Sequence, residues 1–214
     1  MFWDAATRQP LGQVLAGHGD NIYAQIRFSP DGKVLAAAGN EGPIKLWNVS
    51  TRRLDAVLPR HTCVSRESHC YTNALAMSPD GNLLAAGCSD GDLRLWNIAK
   101  RRQVGRVMQG SGKIESISFS ADGKFLAAGV DNIGIRLFDV ASQRLLGETV
   151  TEAKPSASSS FIVSFAPRKS MIAVGSWESV RLWDIGGLSL GQLRKAVDSS
   201  TNEYVSLDGD VTFR

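Results

Sequence analysis

The stretch "GDLRLWNI", residues 91–98, recurs along the chain as "GPIKLWNV" at 42–49, "GIRLFDV" at 134–140 and "SVRLWDI" at 179–185, and its last letters open the chain in "MFWDA". The aromatic of each copy falls at Trp3, Trp47, Trp96, Phe138 and Trp183, giving steps of 44, 49, 42 and 45 residues. A second phrase keeps the same beat: "FSPDGK" at 28–33, "MSPDGN" at 77–82, "FSADGK" at 119–124 and a worn "FAPRKS" at 165–170. Self-similarity at a period of tens of residues signals stacked supersecondary units rather than one ordinary core.

Local chemistry says what each unit contains. In "SPDG", Ser29 and Ser78 suit the first position of a type I turn, Pro30 and Pro79 supply the fixed φ of the second, and Gly32 and Gly81 suit the fourth. Short runs such as "YAQIRF" and "IESISF" precede the turn, and "VLAAAG", "LLAAGC", "FLAAGV" and "MIAVGS" follow it. They are too short for helices and are bounded by turn residues, so they read as two strands. The second is apolar throughout and kept small by alanine, as expected where both faces are buried and neighbours approach closely. Asp90-Gly91 then signals a tight turn into a third strand, whose alternation places Leu93 and Leu95 on one face and Arg94 and Trp96 on the other. A fourth strand follows a polar turn in "LDAVL", "QVGRVM", "RLLGETV" and "LGQLRKAV".

Four antiparallel strands per period, with a recurring Trp-Asp or Trp-Asn dipeptide, resemble the WD-repeat family and imply an all-β propeller. The expected organisation is one propeller or part of one over residues 1–214. Residues 1–16 end one blade; 17–59, 60–109, 110–151 and 152–197 are four complete blades, the second carrying an inserted loop at 60–70; 198–214 is a tail in which "DVTF" reads as the first strand of a further blade. Propellers of this family usually close with about six to eight blades. An incomplete ring, a segment of a longer array, two ends combined into an incomplete fifth blade, and a ring divided between chains all fit that count. The resemblance also implies a buried hydrogen-bond chain of His, Ser or Thr, Asp and Trp in each blade. It is mostly missing here: Gly17-His18 is the one intact Gly-His pair, the hydroxyl position falls on Ala37, Ala86, Ala128 and Val174, and the aspartate position holds Glu41, Asp90 and Asn132. In the fourth blade it holds Trp177 or Glu178, depending on which strand is counted from. Packing therefore has to replace polar networks.

The 214 residues, 43% hydrophobic, suffice for a sizeable core, and a net charge of +3 assigns no partner. No apolar run reaches membrane-spanning length and no secretory signal opens the chain. Three cysteines without a disulfide framework point to reduced thiols and an intracellular, cytoplasmic setting.

Function has to come from sites. One rim gathers the turns between first and second strands and between third and fourth strands. It collects Arg52, Arg53, Lys100, Arg101, Arg102 and Arg144, with Arg8, Lys33, Lys124, Arg168 and Lys169 beside them. As solvated turns interrupted by Asp31, Asp80 and Asp122 these need no ligand; as a patch they suit nucleic acid or another polyanion. The opposite rim offers the protein-binding candidates Tyr23, Arg66, Tyr71, Trp177 and Glu178, of which Trp177 serves either as an interface anchor or as filler for the absent His and Asp of its blade. The 60–70 loop holds His61, Cys63, His69 and Cys70, but without paired Cys-x-x-Cys spacing, and with His69 and Cys70 adjacent, neither a metal nor any other cofactor is expected. Lys45, Arg94, Arg136 and Arg181, two before each aromatic, read as local stacking or pairing partners. No nucleophile–base arrangement or phosphate-binding loop is implied. The expectation is a non-catalytic WD-repeat scaffold for protein assembly, binding protein partners or completing its ring with another chain. It resembles the sensing arrays joined to signalling ATPases or proteases. A basic-rim polyanion binder is the alternative, and a propeller hydrolase a distant one.

Overall fold

The computed structural model describes residues 2–12, 15, 25–39, 42–59, 71–109, 112–150, 160–167, 171–176, 180–184, 204–205 and 211–212. Among them every regular element is a strand and every pairing is antiparallel. A two-stranded piece, β1 (Phe2–Trp3) and β2 (Pro10–Leu11), comes first. Three four-stranded sheets follow, each in chain order: β3 (Gln25–Phe28), β4 (Val34–Ala38), β5 (Lys45–Asn48) and β6 (Arg53–Val57); β7 (Thr72–Met77), β8 (Leu83–Cys88), β9 (Asp92–Asn97) and β10 (Arg102–Gln109); β11 (Ile114–Phe119), β12 (Phe125–Val130), β13 (Gly134–Asp139) and β14 (Arg144–Val150). The fourth sheet contains β15 (Ile162–Phe165), β16 (Met171–Gly175), β17 (Val180–Asp184), β18 (Tyr204–Val205) and β19 (Val211–Thr212). These are the blades of an all-β propeller, and the described strands are consistent with the incomplete ring that was one of the arrangements fitting the repeat count.

The last sheet departs from expectation. Its outer strand is β18, and β19, within the "DVTF" expected to begin a further blade, pairs with β18 at the same edge. Antiparallel pairing with the strand just before it needs only a short hairpin. Residues 190–197, expected as the fourth strand, lie outside the described residues.

The turn phrase works as read, through its serine. Ser29 Oγ donates to Asp31 Oδ1 (2.6 Å) and accepts from the Val34 N–H (2.9 Å), while Gly32 N–H donates to Ser29 O (2.8 Å) and Gly32 sits at φ +71°. Ser78 and Ser120 repeat these bonds with Asp80 and Leu83, and with Asp122 and Phe125. In the fourth sheet Ala166 keeps the backbone bond to Met171 O (2.9 Å) but has no hydroxyl.

Alternation then sorts each sheet's residues between its two neighbours. Ile44, Leu46 and Leu58 of the first sheet meet Leu75, Leu84 and Trp96 of the second; Leu93, Leu95 and Met108 of the second meet Ile117, Phe119 and Phe138 of the third; Ile135, Leu137 and Leu146 of the third meet Phe161, Val163 and Phe165 of the fourth. On the near side of the first sheet Leu35, Ala37 and Trp47 pack with Leu15. Small residues let the inner strands come this close. A Cβ on Gly87 would stand 2.5 Å from Ile114 Cγ2, and one on Gly129 would collide with the carbonyl oxygen of Phe161. Two serines add polar stitches at the third junction: Ser116 Oγ donates to Phe161 O and accepts from Val163 N–H (both 2.9 Å), and Ser118 Oγ accepts from Phe165 N–H (2.9 Å).

The thinned hydrogen-bond chain is visible in the second sheet. Ala86 is fully buried at the hydroxyl position, and the buried Trp96 indole N–H has no hydrogen-bond partner among the described residues. The third sheet carries Phe138 at that place, whose ring has no N–H to satisfy.

Candidate interaction surfaces

The basic rim is built by a turn that the sequence reading did not resolve. Asp4, Asn48, Asn97 and Asp139 each follow the aromatic of a third strand, and each accepts, through Oδ1, the N–H of a residue three further on: Thr7, Thr51, Lys100 and Ser142 (2.7–2.9 Å). Such local side-chain bonds hold a tight turn. The next residue in each case, Arg8, Arg52, Arg101 or Gln143, takes the left-handed conformation at φ 54–56°. Without glycine or asparagine there, each costs on the order of 1 kcal/mol.

Three of those strained residues, Arg52, Arg101 and Gln143, reach back to the preceding sheet. The Arg52 guanidinium lies over Gly12 beside β2, where an added Cβ would stand 2.8 Å from Nη1. Arg101 grips both oxygens of Asp55 in β6 at 3.0–3.1 Å. Gln143 accepts from Arg106 N–H (2.7 Å) and donates to Val104 O (2.9 Å), both in β10, and its own carbonyl receives the Arg106 guanidinium. Two of the six residues proposed for a polyanion, Arg52 and Arg101, thus stitch neighbouring blades. Arg53, Lys100, Arg102 and Arg144 are exposed on the same rim. Around the axis, Lys33 and Lys124 stand 3.4 Å from Asp31 and Asp122, which offsets much of their charge. The turn aspartates are held as carboxylates: Ser29 Oγ and Ser78 Oγ are the main causes that keep Asp31 and Asp80 below the ordinary carboxylate range.

At the centre of this rim lies a cavity of about 460 Å³ to which all four sheets contribute. Each inner strand ends there in Phe28, Met77, Phe119 or Phe165, and each turn adds Pro30, Pro79, Ala121 or Pro167. Arg27 is the cationic side chain of the lining; its Nη1 donates to the neighbouring Ile26 O at 2.7 Å. Sequence reading missed this site because its members lie one per repeat, and only the ring gathers them.

Of the protein-binding candidates, Tyr71 is half-buried and fixed by its backbone, its N–H donating to Ser89 Oγ and its carbonyl accepting from Ser89 N–H (both 3.0 Å). Tyr23, Arg66, Trp177 and Glu178 lie outside the described residues, as do His18, His61, Cys63, His69 and Cys70. Among the described residues no three His, Cys, Asp or Glu side chains cluster as metal ligands. Burial pushes the Cys88 thiol up to about 12, so it stays protonated at neutral pH. Burial, with Asp90 nearby, raises the Asp92 carboxyl, which Arg94 Nη2 meets at 3.0 Å. Arg94 therefore pairs locally, as its place beside the aromatic suggests. No described helix is long and apolar enough to cross a membrane.

No curated protein matches the chain. A family model described as WD domain, G-beta repeat matches residues 9–48, 59–97 and 102–139, together more than half of the 214 residues. The first match runs from the outer strand β2 to the third strand β5 of the next sheet, and the third spans β10 to β13 in the same way, so a repeat clasps two blades. With the aromatic-Asp/Asn turns, the serine-locked hairpins and the radial packing of sheets, these matches make the chain a member of the WD-repeat family.

Proposed function

We propose that the chain is a non-catalytic interaction scaffold whose protein partner inserts a short, largely apolar segment with an acidic group into the axial cavity of the basic rim. Repeats of this family generally form protein-interaction scaffolds and are typically non-catalytic. The observation that carries the reading is the cavity itself: it is large enough for a few side chains, its wall is shared between apolar side chains and polar groups, and among the described lining residues Arg27 is the cation that can orient what enters. Nothing in the lining pairs a nucleophile with a base. A cytoplasmic role as the sensing or assembly part of a signalling complex belongs to the same reading.

Selection of peptides from a random displayed library tests it. Peptides captured by the wild-type chain should carry apolar residues beside Asp or Glu, and should lose at least tenfold in affinity for Ala121→Trp, which blocks the mouth, and for Arg27→Glu. Both positions are exposed, so folding should survive. Retention of random DNA or RNA that weakens steeply with salt, is lost on charge reversal at Lys100, Arg101 and Arg102 and is indifferent to Ala121→Trp would replace the scaffold with the polyanion reading.

A further inference from the structure

The axial cavity is layered. Register places Arg27, Ala76, Ser118 and Ser164 at one level of the four inner strands, because each lies opposite an alanine of the strand beside it: Ala36, Ala85, Ala127 and Ala173. One residue nearer the turns, Phe28, Met77, Phe119 and Phe165 make the next level, opposite Leu35, Leu84, Leu126 and Ile172. Pro30, Pro79, Ala121 and Pro167 of the turns stand at the mouth, and all three levels line the space. Whatever enters therefore passes the turns, then an apolar ring, then a level that holds one guanidinium and two hydroxyls.

That deepest level is a set of donors. The Arg27 guanidinium gives one N–H to Ile26 O, and no carboxylate pairs with it among the described residues. Ser118 Oγ accepts the Phe165 N–H at 2.9 Å, which leaves its own proton to donate. The Ser164 hydroxyl is exposed and makes no hydrogen bond among the described residues. Asp31, Asp80 and Asp122 do not line the cavity; their carboxylates accept from Ser29, Ser78 and Ser120 within their own turns. A carboxylate accepts hydrogen bonds and donates none, and its pairing with arginine is among the stronger polar contacts. The level is thus matched to a carboxylate in both charge and hydrogen bonding.

We infer, resting on the scaffold reading above, that the acidic group taken by the cavity is the free C-terminal carboxylate of a partner chain that ends in apolar residues. Two features favour a chain end over an internal Asp or Glu. The donors lie one residue beyond the apolar ring, and in a chain that enters end first the carboxylate leads while the last side chain follows directly behind it. The space of about 460 Å³ also holds only a few side chains. A chain end occupies it with one run of backbone, whereas an internal residue brings the chain in and out through the same mouth. Capture of a terminal carboxylate by converging donors is a known mode of peptide recognition. An Asp or Glu in a displayed internal sequence would be a stand-in for that terminus.

The probe is a random hexapeptide library tethered through its N-termini and made in two forms, free acid and C-terminal amide, with the best sequences then titrated in solution. The wild-type chain should capture free acids that end in apolar residues, and amidation of the same sequence should weaken binding at least about tenfold. Ser164→Ala should weaken the free acids several-fold and leave the amides unchanged. Its hydroxyl is exposed and unbonded, so folding should survive where Ser118→Ala would strip a partner from the Phe165 N–H. Amides that bind as tightly as acids, with both forms lost in Ala121→Trp, would overturn the terminus and leave the scaffold reading standing. An internal Asp or Glu that restores an amide to full affinity would do the same. Displacement of the best peptide by hexanoate at equal concentration would overturn it in favour of a small carboxylic acid. Capture indifferent to Ala121→Trp, or none of either form up to about 100 µM, would remove the cavity reading and the terminus together.

Discussion

The third and fourth sheets are written in nearly the same letters and end in different surroundings. In the third, Ser120 locks the turn, Gly129 admits the next inner strand, and Ile135 and Leu137 disappear beneath the fourth sheet. In the fourth, Ala166 stands where the serine was, Gly175 meets open space, and Val180 and Leu182 face solvent. Yet β15 and β16 pair through four consecutive residues with no register shift. The turn lock is therefore not needed to set register. Alternation fixes which way a side chain points, and only a neighbouring sheet decides whether it is buried.

Truncating the aromatic tests that contrast most severely. Phe138→Ala should cost about 3–5 kcal/mol in urea unfolding, as for other fully buried aromatics. Trp183→Ala, partly exposed at the equivalent place, should cost visibly less despite the larger ring. Next in size is a methyl group added at equivalent glycines. Gly129→Ala forces a Cβ against the Phe161 backbone, which cannot rotate away, and should cost about 3 kcal/mol, the upper end for overpacking. Gly175→Ala should be nearly neutral. If the two cost the same, the open face has been misassigned.

The turn lock comes third. Ser120→Ala removes a buried hydroxyl that both donates and accepts, and should cost about 1–2 kcal/mol. Its acid counterpart follows from the sign of the aspartate shifts. The Ser78 hydroxyl holds Asp80 below the ordinary carboxyl range, so the stability it contributes is fully present above that range and is lost as pH falls through its lower folded value. Asp80→Asn should flatten the acid limb of a thermal-stability profile below about pH 4. The smallest effect sharpens the comparison in reverse: Ala166→Ser should return a hydroxyl to the Met171 N–H and raise stability by less than about 1 kcal/mol, detectable as a small rise in Tm.

Repeat spacing, strand order and the facing of side chains were legible because they depend on alternation and on turn residues with a fixed preference. The Ser-Pro-Asp-Gly hairpins and the opposite facing of Leu95 and Trp96 follow directly from those rules. The second turn was not legible. Glycine or asparagine at φ near +55° announces itself, but Arg8, Arg52, Arg101 and Gln143 do not, and the last three make contacts to a neighbouring sheet that no local rule contains. Arg52 and Arg101 read from the sequence as rim charge alone, and their contacts to the preceding sheet were not legible there. Ser116 and Ser118 were passed over as ordinary strand residues for the same reason, since their partners are 45 to 47 residues away. The axial cavity was hidden more deeply still, because it exists only once the sheets are set around an axis.

Packing that runs from each sheet to the next also shapes how the molecule opens. In deuterated water the amides of β8 and β12, shielded by sheets on either side, should exchange last, and those of β16 and β17 should exchange early. Unfolding would then travel inward from a margin, as in a stack of repeats, instead of striking the whole molecule at once. A contact that capped the margin would slow that fraying throughout the stack, so occupancy of one surface would be written into the lifetime of distant strands.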